Sequence, residues 1–376
     1  MPDPEQLSAP ARRGRPWRTA LAGAAAVCVV VAGATWLARP GAPAALVPAQ
    51  PVRQAEDPLQ EAAAVWPQAV RRIPATLPDG RRFHPQALLD DGTLLVTTES
   101  SFEKSDSLWR YDLAGGPPTK VADVVTPRRA VLFAGDFTVG DGKVAWWTAR
   151  KAAGGELVEI WTVPVTGGTP AVAVAFPARD RAQRPSELAL ADGGIVYSAG
   201  AGGLYRAEPG AGPQLVAGTE GQHLLAWPWI GSPGRRPFGD GTFASVRNLK
   251  TGQARQAASG SGRLLGCGAT RCLHADAGGQ SAALVAADGT SRPVPYAVAG
   301  PPEPLVRDRF RAGVVSEATG RHRPVLQDAE RGLIAALGPA APPGQGLRLP
   351  RVLSDGRTVV QWLGQQWLVV DLAAIP

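Results

Sequence analysis

The chain has 376 residues, of which 44% are hydrophobic, and this suits one large folded domain or two ordinary ones. Its 45 glycines and 36 prolines predict frequent breaks and argue against long helices. The net charge of +7 is mild, and no run of lysine and arginine or aromatic-plus-basic motif indicates a nucleic-acid partner.

The first predicted element is an apolar segment, residues 19–38, that contains no charged side chain. About 20 such residues span a bilayer as a helix. Four arginines lie within residues 12–18, and this positive cluster predicts a cytoplasmic tail over residues 1–18. We therefore expect a single-pass anchor in the cell membrane with the rest of the chain outside the cytoplasm. The alternative is a signal peptide cleaved near residues 32–34, after which the protein would be secreted.

Residues 39–66 follow the anchor and are rich in proline and alanine. No hydrophobic period persists here, so we expect a semi-extended tether with a short helix at 58–65. The extracytoplasmic domain is expected to occupy residues 67–376.

A repeated hairpin pattern then runs along the chain. Residues 88–99, 137–149, 188–199 and 351–363 each place Asp-Gly between two apolar strands, which is a strong hairpin signal. The Asp-Gly turns of the first three copies lie about 50 residues apart, a spacing typical of propeller blades.

A second hairpin follows each of the first three, so the repeating unit is a meander of four strands. Three degraded copies occupy residues 223–337, and the last copy ends after its third strand. Residues 69–78 precede the first copy and would supply the missing outer strand. The pattern predicts an all-β protein, a seven-bladed β-propeller closed as a ring. Six blades and a β-sandwich are the alternatives.

The motifs "LSDGRTVVQWL" (353–363) and "LWRYDLAGGPPTKVA" (108–122) resemble the blade signature of TolB-like, WD40-like propeller repeats. The resemblance covers most of residues 83–373. The whole layout of basic tail, anchor and propeller is similar to membrane-anchored actinobacterial propellers. TolB has a separate N-terminal domain that this chain lacks, so its partners are not implied here.

The segment "GCGATRC" holds Cys267 and Cys272, two of the three cysteines. It falls where other copies have the Asp-Gly turn, so a disulfide there would close a four-residue hairpin loop outside the cytoplasm. A redox centre would require Cys-x-x-Cys at a helix start. A metal site would recruit His274, but no fourth ligand is visible. The sequence therefore predicts a structural disulfide.

The chain contains only four histidines, and each is expected to cap a turn or pack at a strand end: His84, His223, His274 and His322. Common hydrolase, metalloprotease, nucleotide and calcium motifs are absent from the sequence. No catalytic residue, metal or cofactor is therefore assigned. Asp180, Glu187 and His223 could converge in the central channel, although their spacing does not require it.

A meander places its first and third turns on one face and its second turns and inter-blade links on the other. The longer loops belong to the second face and are rich in arginine. For the two tryptophans of "AWPWIG", the alternation predicts either packing between blades or a position at the rim near these loops. The candidate binding residues are Arg128, Arg129, Arg150, Arg181, Arg184, Trp227, Trp229, Arg235 and Arg236.

Such a basic face predicts an anionic partner: an acidic protein, a cell-wall polymer or lipid headgroups. The sequence favours a non-catalytic, membrane-anchored binding scaffold or sensor. The alternative is a propeller enzyme, of hydrolase or lyase type, with its site at the channel mouth. Solvated loops in an arginine-rich chain would also produce this pattern.

Overall fold

The computed structural model describes residues 59–101, 104–208, 210–235, 239–257, 262–276, 278–279, 281–295, 298–300, 303–317, 320–342 and 346–376. Within these ranges no helix is long and apolar enough to cross a membrane. The predicted anchor, residues 19–38, lies outside them, as do the tail and most of the tether.

The described strands form seven antiparallel sheets, each a meander of neighbouring strands. β1 (Val70–Pro74) comes first in the chain. Blade one contains β2 (Phe83–Leu88), β3 (Thr93–Ser101), β4 (Lys104–Asp112) and β5 (Thr119–Asp123). Blade two contains β6 (Ala130–Gly140), β7 (Lys143–Ala152), β8 (Gly155–Pro164) and β9 (Ala171–Ala178). Blade three contains β10 (Pro185–Ala191), β11 (Gly194–Ala199), β12 (Leu204–Ala207) and β13 (Gln214–Leu215).

The second half of the ring is built in the same way. Blade four contains β14 (His223–Ala226), β15 (Trp229–Ser232), β16 (Ser245–Asn248) and β17 (Ala254–Gln256). Blade five contains β18 (Arg263–Cys267), β19 (Arg271–Ala275), β20 (Ala282–Ala286) and β21 (Ser291–Val294). Blade six contains β22 (Phe310–Ser316), β23 (His322–Asp328) and β24 (Leu333–Ala336). Blade seven contains β25 (Arg351–Val352), β26 (Thr358–Trp362) and β27 (Gln366–Asp371).

The last blade is closed by the first strand of the chain. β1 pairs antiparallel with β27, from Val70 opposite Val370 to Pro74 opposite Gln366. Pro74 lies at the outer edge of the sheet, where a missing backbone N–H is tolerated. The sequence predictions of seven blades and of closure by residues 69–78 are therefore confirmed.

Hydrophobic clusters between adjacent blades form the core. Phe83 and Leu94 of blade one pack against Val360 and Val369 of blade seven. Similar clusters lie between blades one and two and between blades two and three. The first strands of blades one to four also contact one another in turn, on the inner side of the ring. Each blade is stabilised mainly by its neighbours, as in other repeat architectures.

The chain before β1 also packs on the propeller. Helix α1 (Ala62–Val65) lies at the end of the predicted tether; its end agrees with the short helix expected at 58–65, but it begins four residues later. Ala62 and Trp66 are buried beside Leu326 and Val370. The backbone of Ala336 donates a hydrogen bond to Gln60 O. Residues 60–66 therefore pack as part of the folded domain, although the sequence analysis placed them in the tether.

Blade six differs from the sequence assignment. The sequence pattern indicates no strand of this blade before residues 309–318, but isolated bridges on the inner side of β22 join Val314 to Ala299 and Phe310 to Val306. Leu305 N also bonds to Cys267 O on the inner strand of blade five. β22 is thus the second strand of its blade, and an irregular segment takes the innermost place.

The two ends of the propeller differ in the connections they carry. We call the end with the first and third turns of each blade the turn face, and the end with the second turns and inter-blade links the loop face. On the turn face, adjacent blades are joined by a bond from Gly193 N to Asp141 Oδ2 and by an ion pair between Arg357 and Asp91. Asp141 and Asp192 have positive φ and precede glycines with positive φ, as a two-residue type I′ turn requires.

Candidate functional site

Exposed cations gather on the loop face around the second turn of blade two. Lys151 N bonds to Arg129 O, which brings the link before β6 against the end of β7. A Cβ on Gly155 would contact Ala178 O, so the link after β9 passes the same turn closely. The blade-two basic patch comprises Arg128, Arg129, Lys151, Arg179 and Arg181, all exposed.

This patch is poorly compensated. Among the described residues, none of its five cations has an ion-pair partner, and the acidic group on the same loop is Asp180. The Asp180 carboxylate accepts a hydrogen bond from Ala182 N and so caps the 3-10 helix Arg181–Gln183. Asp180 therefore does not join the channel group considered from the sequence.

Two predicted binding arginines are already neutralised. Arg184 forms two hydrogen bonds with Glu156, of 2.7 and 2.6 Å, and joins blade three to blade two. Arg150 bonds to Glu159 on the neighbouring strand at 3.1 Å. Both pairs position the loops of the patch, but neither adds net positive charge to it.

The remaining candidates do not lie together. Trp227 is in the first turn of blade four, on the turn face, with Lys250 Nζ 5.7 Å from the centre of its ring. Trp229 lines a surface cavity of about 320 Å³ with Arg255 and Thr270. Arg235 is on the loop between β15 and β16, which belongs to the loop face. Arg236 lies outside the described residues.

A second group of polar side chains converges between the inner strands of blades two, three and four. Asp136 comes from β6, Glu187 from β10 and His223 from β14, while Arg235 reaches in from the loop and donates to Leu225 O at 3.3 Å. We call these four residues the channel cluster. Their charges act on one another, since Glu187 influences both Asp136 and His223, and Arg235 influences Asp136.

Each carboxyl group of the cluster is held by hydrogen bonds. Trp147 Nε1 donates to Asp136 Oδ2 at 2.7 Å. Ser186 Oγ and Ser198 Oγ both donate to Glu187 Oε2, at 2.6 and 2.5 Å. The donors lie on the same strand as the carboxyl group or on the next one, and they fix the orientation of both carboxyl groups.

Burial shifts the pKa of Asp136 and the pKa of His223 in opposite directions. Surrounding protein atoms desolvate the Asp136 carboxyl and raise its pKa, and the nearby Glu187 charge raises it further. Desolvation lowers the pKa of His223, against the effect of Glu187. The Asp136 side chain still reaches solvent.

A further polar group lies between blades seven and one. His84 Nε2 lies 3.2 Å from Glu99 Oε2. Arg351 donates to Pro85 O at 2.6 Å, and burial lowers its pKa. Arg348 lies over the ring of Trp362, 5.3 Å from its centre. Asp136 and Arg351 were not among the candidate residues predicted from the sequence. Asp136 is the one charged residue of β6, and a single charge on an apolar inner strand could have identified it as a candidate.

The predicted disulfide is present. Cys267 and Cys272 are bonded across the first turn of blade five, and both are buried. Arg255 of blade four donates to Gly268 O and to Cys272 Sγ, at 2.7 Å each. The loop therefore joins two blades. No group of three or more His, Cys, Asp or Glu side chains in the described part of the chain is arranged to hold a metal ion.

Comparison with known proteins finds similarity only to solved structures. No protein-family model matches the chain, and no curated protein matches it. Similar solved structures include the computationally designed Ika8 protein, with 13% identity, a TM-score of 0.40, and coverage of 78% of this chain and 85% of that one. Streptogramin B lyase has 12% identity, a TM-score of 0.41, and coverage of 81% and 98%.

TolB from Acinetobacter baumannii has 12% identity and a TM-score of 0.32, with coverage of 75% of this chain and 64% of TolB. The chain thus spans less than two thirds of TolB. The expected resemblance to TolB-like propellers is confirmed for the fold, and similarity at this level carries no functional information. By its own topology the protein is a seven-bladed β-propeller.

Proposed function

We propose that this protein is a binding propeller whose loop face holds an anionic polymer of the cell envelope. The observation that carries the proposal is the blade-two basic patch, where five exposed cations lie beside Asp180 and beside Glu156, which Arg184 already neutralises. The cations come from three separate loops, so an extended ligand with repeated negative charges fits them better than a small anion. Long-range attraction of this kind speeds association and weakens with salt.

Charge reversal tests the patch. In Arg128→Glu/Lys151→Glu/Arg181→Glu, affinity of the full-length protein for poly(glycerol phosphate) or polyglutamate should fall by at least about tenfold. The matched control is Lys143→Glu/Arg292→Glu/Arg331→Glu, which changes net charge equally at exposed positions away from the patch. The control should bind within about twofold of the wild type. Equal losses in both variants, or no binding at all, would contradict the proposal. Stronger binding to phosphatidylglycerol vesicles would favour lipid headgroups.

The proposal includes a membrane anchor at residues 19–38, which is supported by the uncharged apolar run and the preceding arginines. Protease added to intact cells should leave only a short N-terminal fragment. A chain found in the medium that begins near residue 35 would instead establish secretion after signal cleavage.

An enzyme acting at the channel mouth is the second candidate function. The channel cluster favours it, because a carboxyl group with a raised pKa near an imidazole with a lowered pKa suits acid–base catalysis. The length of the bound polymer after incubation separates the two functions. Shortening that disappears in Asp136→Asn while binding persists would establish an enzyme. Polymer recovered at its original length would support the binding function.

A further inference from the structure

The outer strand of blade four, β17, has an open edge. It is bonded to β16 through the backbone groups of Gln253, Arg255 and Ala257. Because the bonds of an antiparallel ladder alternate, the N–H and C=O groups of Ala254 and Gln256 point away from β16. Among the described residues, no backbone group from outside the blade bonds to either of them. These groups are therefore free to pair with another chain.

The other outer strands of the ring are protected. β5, β9 and β24 each form a backbone hydrogen bond with chain from outside their own blade. β1 and β21 contain Pro74 and Pro293, which cannot donate a hydrogen bond from the backbone, and β13 has only two residues. Such devices keep sheet edges from pairing with other chains. In the described part of the chain, β17 has none of them.

A surface cavity of about 320 Å³ runs along this open edge. Its lining includes four consecutive residues, 253–256. Side chains of a strand alternate between the two faces, so a cavity confined to one face would contact every second residue. Contact with all four places the cavity at the edge of β17. The opposite wall consists of Ala269 and Thr270 of the disulfide loop, together with Ala287. We call this space the blade-four slot.

The wall opposite β17 is fixed in place. The disulfide closes the loop, and Arg255 Nε donates to Ala269 O at 3.3 Å. Asp308 accepts hydrogen bonds from Thr270 N and Thr270 Oγ1, at 2.9 and 3.0 Å. The slot is therefore formed in the unliganded protein, and a preformed site lowers the cost of ordering on binding.

The lining residues indicate the chemistry of the occupant. The strand register places Trp229, Gln253 and Arg255 on the same face of blade four. The half-buried Trp229 ring offers a surface for an apolar side chain. Arg255 is the one charged side chain of the lining, and it forms no ion pair among the described residues. Asp308 acts on it from a distance but is already engaged by Thr270.

We propose that the blade-four slot binds an extended peptide segment of a partner protein, which adds a strand to β17 and places a carboxylate beside Arg255. The peptide backbone supplies the partners that Ala254 and Gln256 lack, and the acidic side chain neutralises the unpaired cation. The slot lies on the turn face, apart from the blade-two basic patch. The inference thus goes beyond the proposed function and does not rest on it.

Blocked pentapeptides test the ligand class on the full-length protein by calorimetric titration. The first has the order valine, threonine, glutamate, threonine, valine, the second has lysine in place of glutamate, and the third is the first with every internal amide N-methylated. The first should bind at least about tenfold more tightly than the other two. Equal binding of the lysine peptide would overturn the acidic partner. Equal binding of the methylated peptide, or no binding of the first, would overturn strand addition.

Two further measurements separate other occupants. Sodium propionate, a carboxylate without a peptide backbone, should not displace the glutamate peptide, and displacement would overturn the proposal in favour of a small-carboxylate site. Sedimentation of the protein without peptide should show no dimer formed through β17. A dimer that Ala254→Pro dissociates would overturn the proposal in favour of a second copy of this chain.

Variants locate the site. Ala254→Pro removes one outward N–H but no bond to β16, and should weaken binding of the glutamate peptide by at least about tenfold. The matched control is Leu215→Pro, the same change at an outward position of β13, which should leave affinity within about twofold. Arg255→Met should remove the preference for glutamate over lysine. Circular dichroism and melting temperature establish that each variant is folded.

Unchanged affinity in folded Ala254→Pro protein, or an unchanged preference in folded Arg255→Met protein, would overturn the assignment to this slot. If Arg255→Met does not fold, the comparison of Ala254→Pro with Leu215→Pro decides. The charge-reversed variant of the blade-two basic patch should bind the glutamate peptide normally, so failure here and failure of the proposed function are distinguishable.

Discussion

Buried histidines are the residues that should make the stability of this propeller depend on pH. His274 lies on β19 with 8% of its surface exposed, and neither ring nitrogen has a partner among the described residues. Burial lowers its pKa. In the unfolded chain a histidine takes up a proton near pH 6.5, whereas folded His274 stays neutral to lower pH. Below about pH 6.5 the unfolded chain therefore binds more protons than the folded protein, and the free energy of unfolding falls as pH falls.

We expect His274→Leu to reduce this loss of stability in acid. The melting temperature of the wild type should drop more between pH 7.5 and about 5 than that of the variant. His223 also has a lowered pKa, so the variant should keep part of the dependence. The control is His322→Gln, which changes an exposed ring. Identical pH profiles for wild type and His274→Leu would show that His274 contributes nothing.

The disulfide gives a second prediction at this scale. Cys267→Ser/Cys272→Ser should destabilise the fold by about 2 kcal/mol, since the bond closes a short loop. Melting temperature should fall by about 5 °C, with ligand binding retained below the transition. Non-reducing mass spectrometry should find Cys267 linked to Cys272 and Cys28 free. Binding lost at an unchanged melting temperature would indicate redox chemistry instead.

Whether the strands of a blade could be predicted from the sequence depended on the residues of its turns. Blades with Asp-Gly turns were identified with their strands. Blade six was not, because its first turn is built from Arg307 and Asp308, both at positive φ, which have no Asp-Gly signature. Its inner segment makes only isolated bridges and has no strand pattern to recognise.

The channel cluster was only partly predictable for a related reason. Glu187 and His223 were considered from the sequence, but Asp136 was not. The pairing register shifts between Pro185 and Glu187 and again near Asp136, between Gly135 and Thr138. A one-residue shift moves a side chain to the other face of a strand. Simple alternation therefore cannot say which inner-strand residues face the channel.

The closing strand and α1 can be tested by truncation. A chain beginning at residue 59 keeps α1 and β1, and should fold as a soluble domain. A chain beginning at residue 79 loses Trp66 and leaves the apolar edge of β27 unpaired, so it should aggregate. Size-exclusion chromatography and circular dichroism distinguish the outcomes. A monomeric folded chain beginning at residue 79 would show that β1 is dispensable.

On the scale of the whole molecule, the ring brings β1 and β27 together, and this predicts that the chain order can be permuted. Residues 81–376 followed by a short flexible linker and residues 59–78 would make β27 and β1 consecutive strands. The permuted protein should melt within about 5 °C of the chain beginning at residue 59. It should also refold faster, because closure no longer joins distant segments. Failure to fold would mean that the link between β1 and β2 is essential.

Closure by β1 and β27 also means that the ring cannot close until the end of the chain has been synthesised. β1 is among the first parts of the domain to be made, yet its partner β27 follows about 300 residues later. At ordinary translation rates β1 waits on the order of 15–60 s before it can pair. During that interval six blades are complete while the ring stays open, and both strands flanking the gap have unpaired backbone. A helper that shields strand edges would act at this stage, and an anchored N-terminus would keep β1 beside the point where β27 emerges.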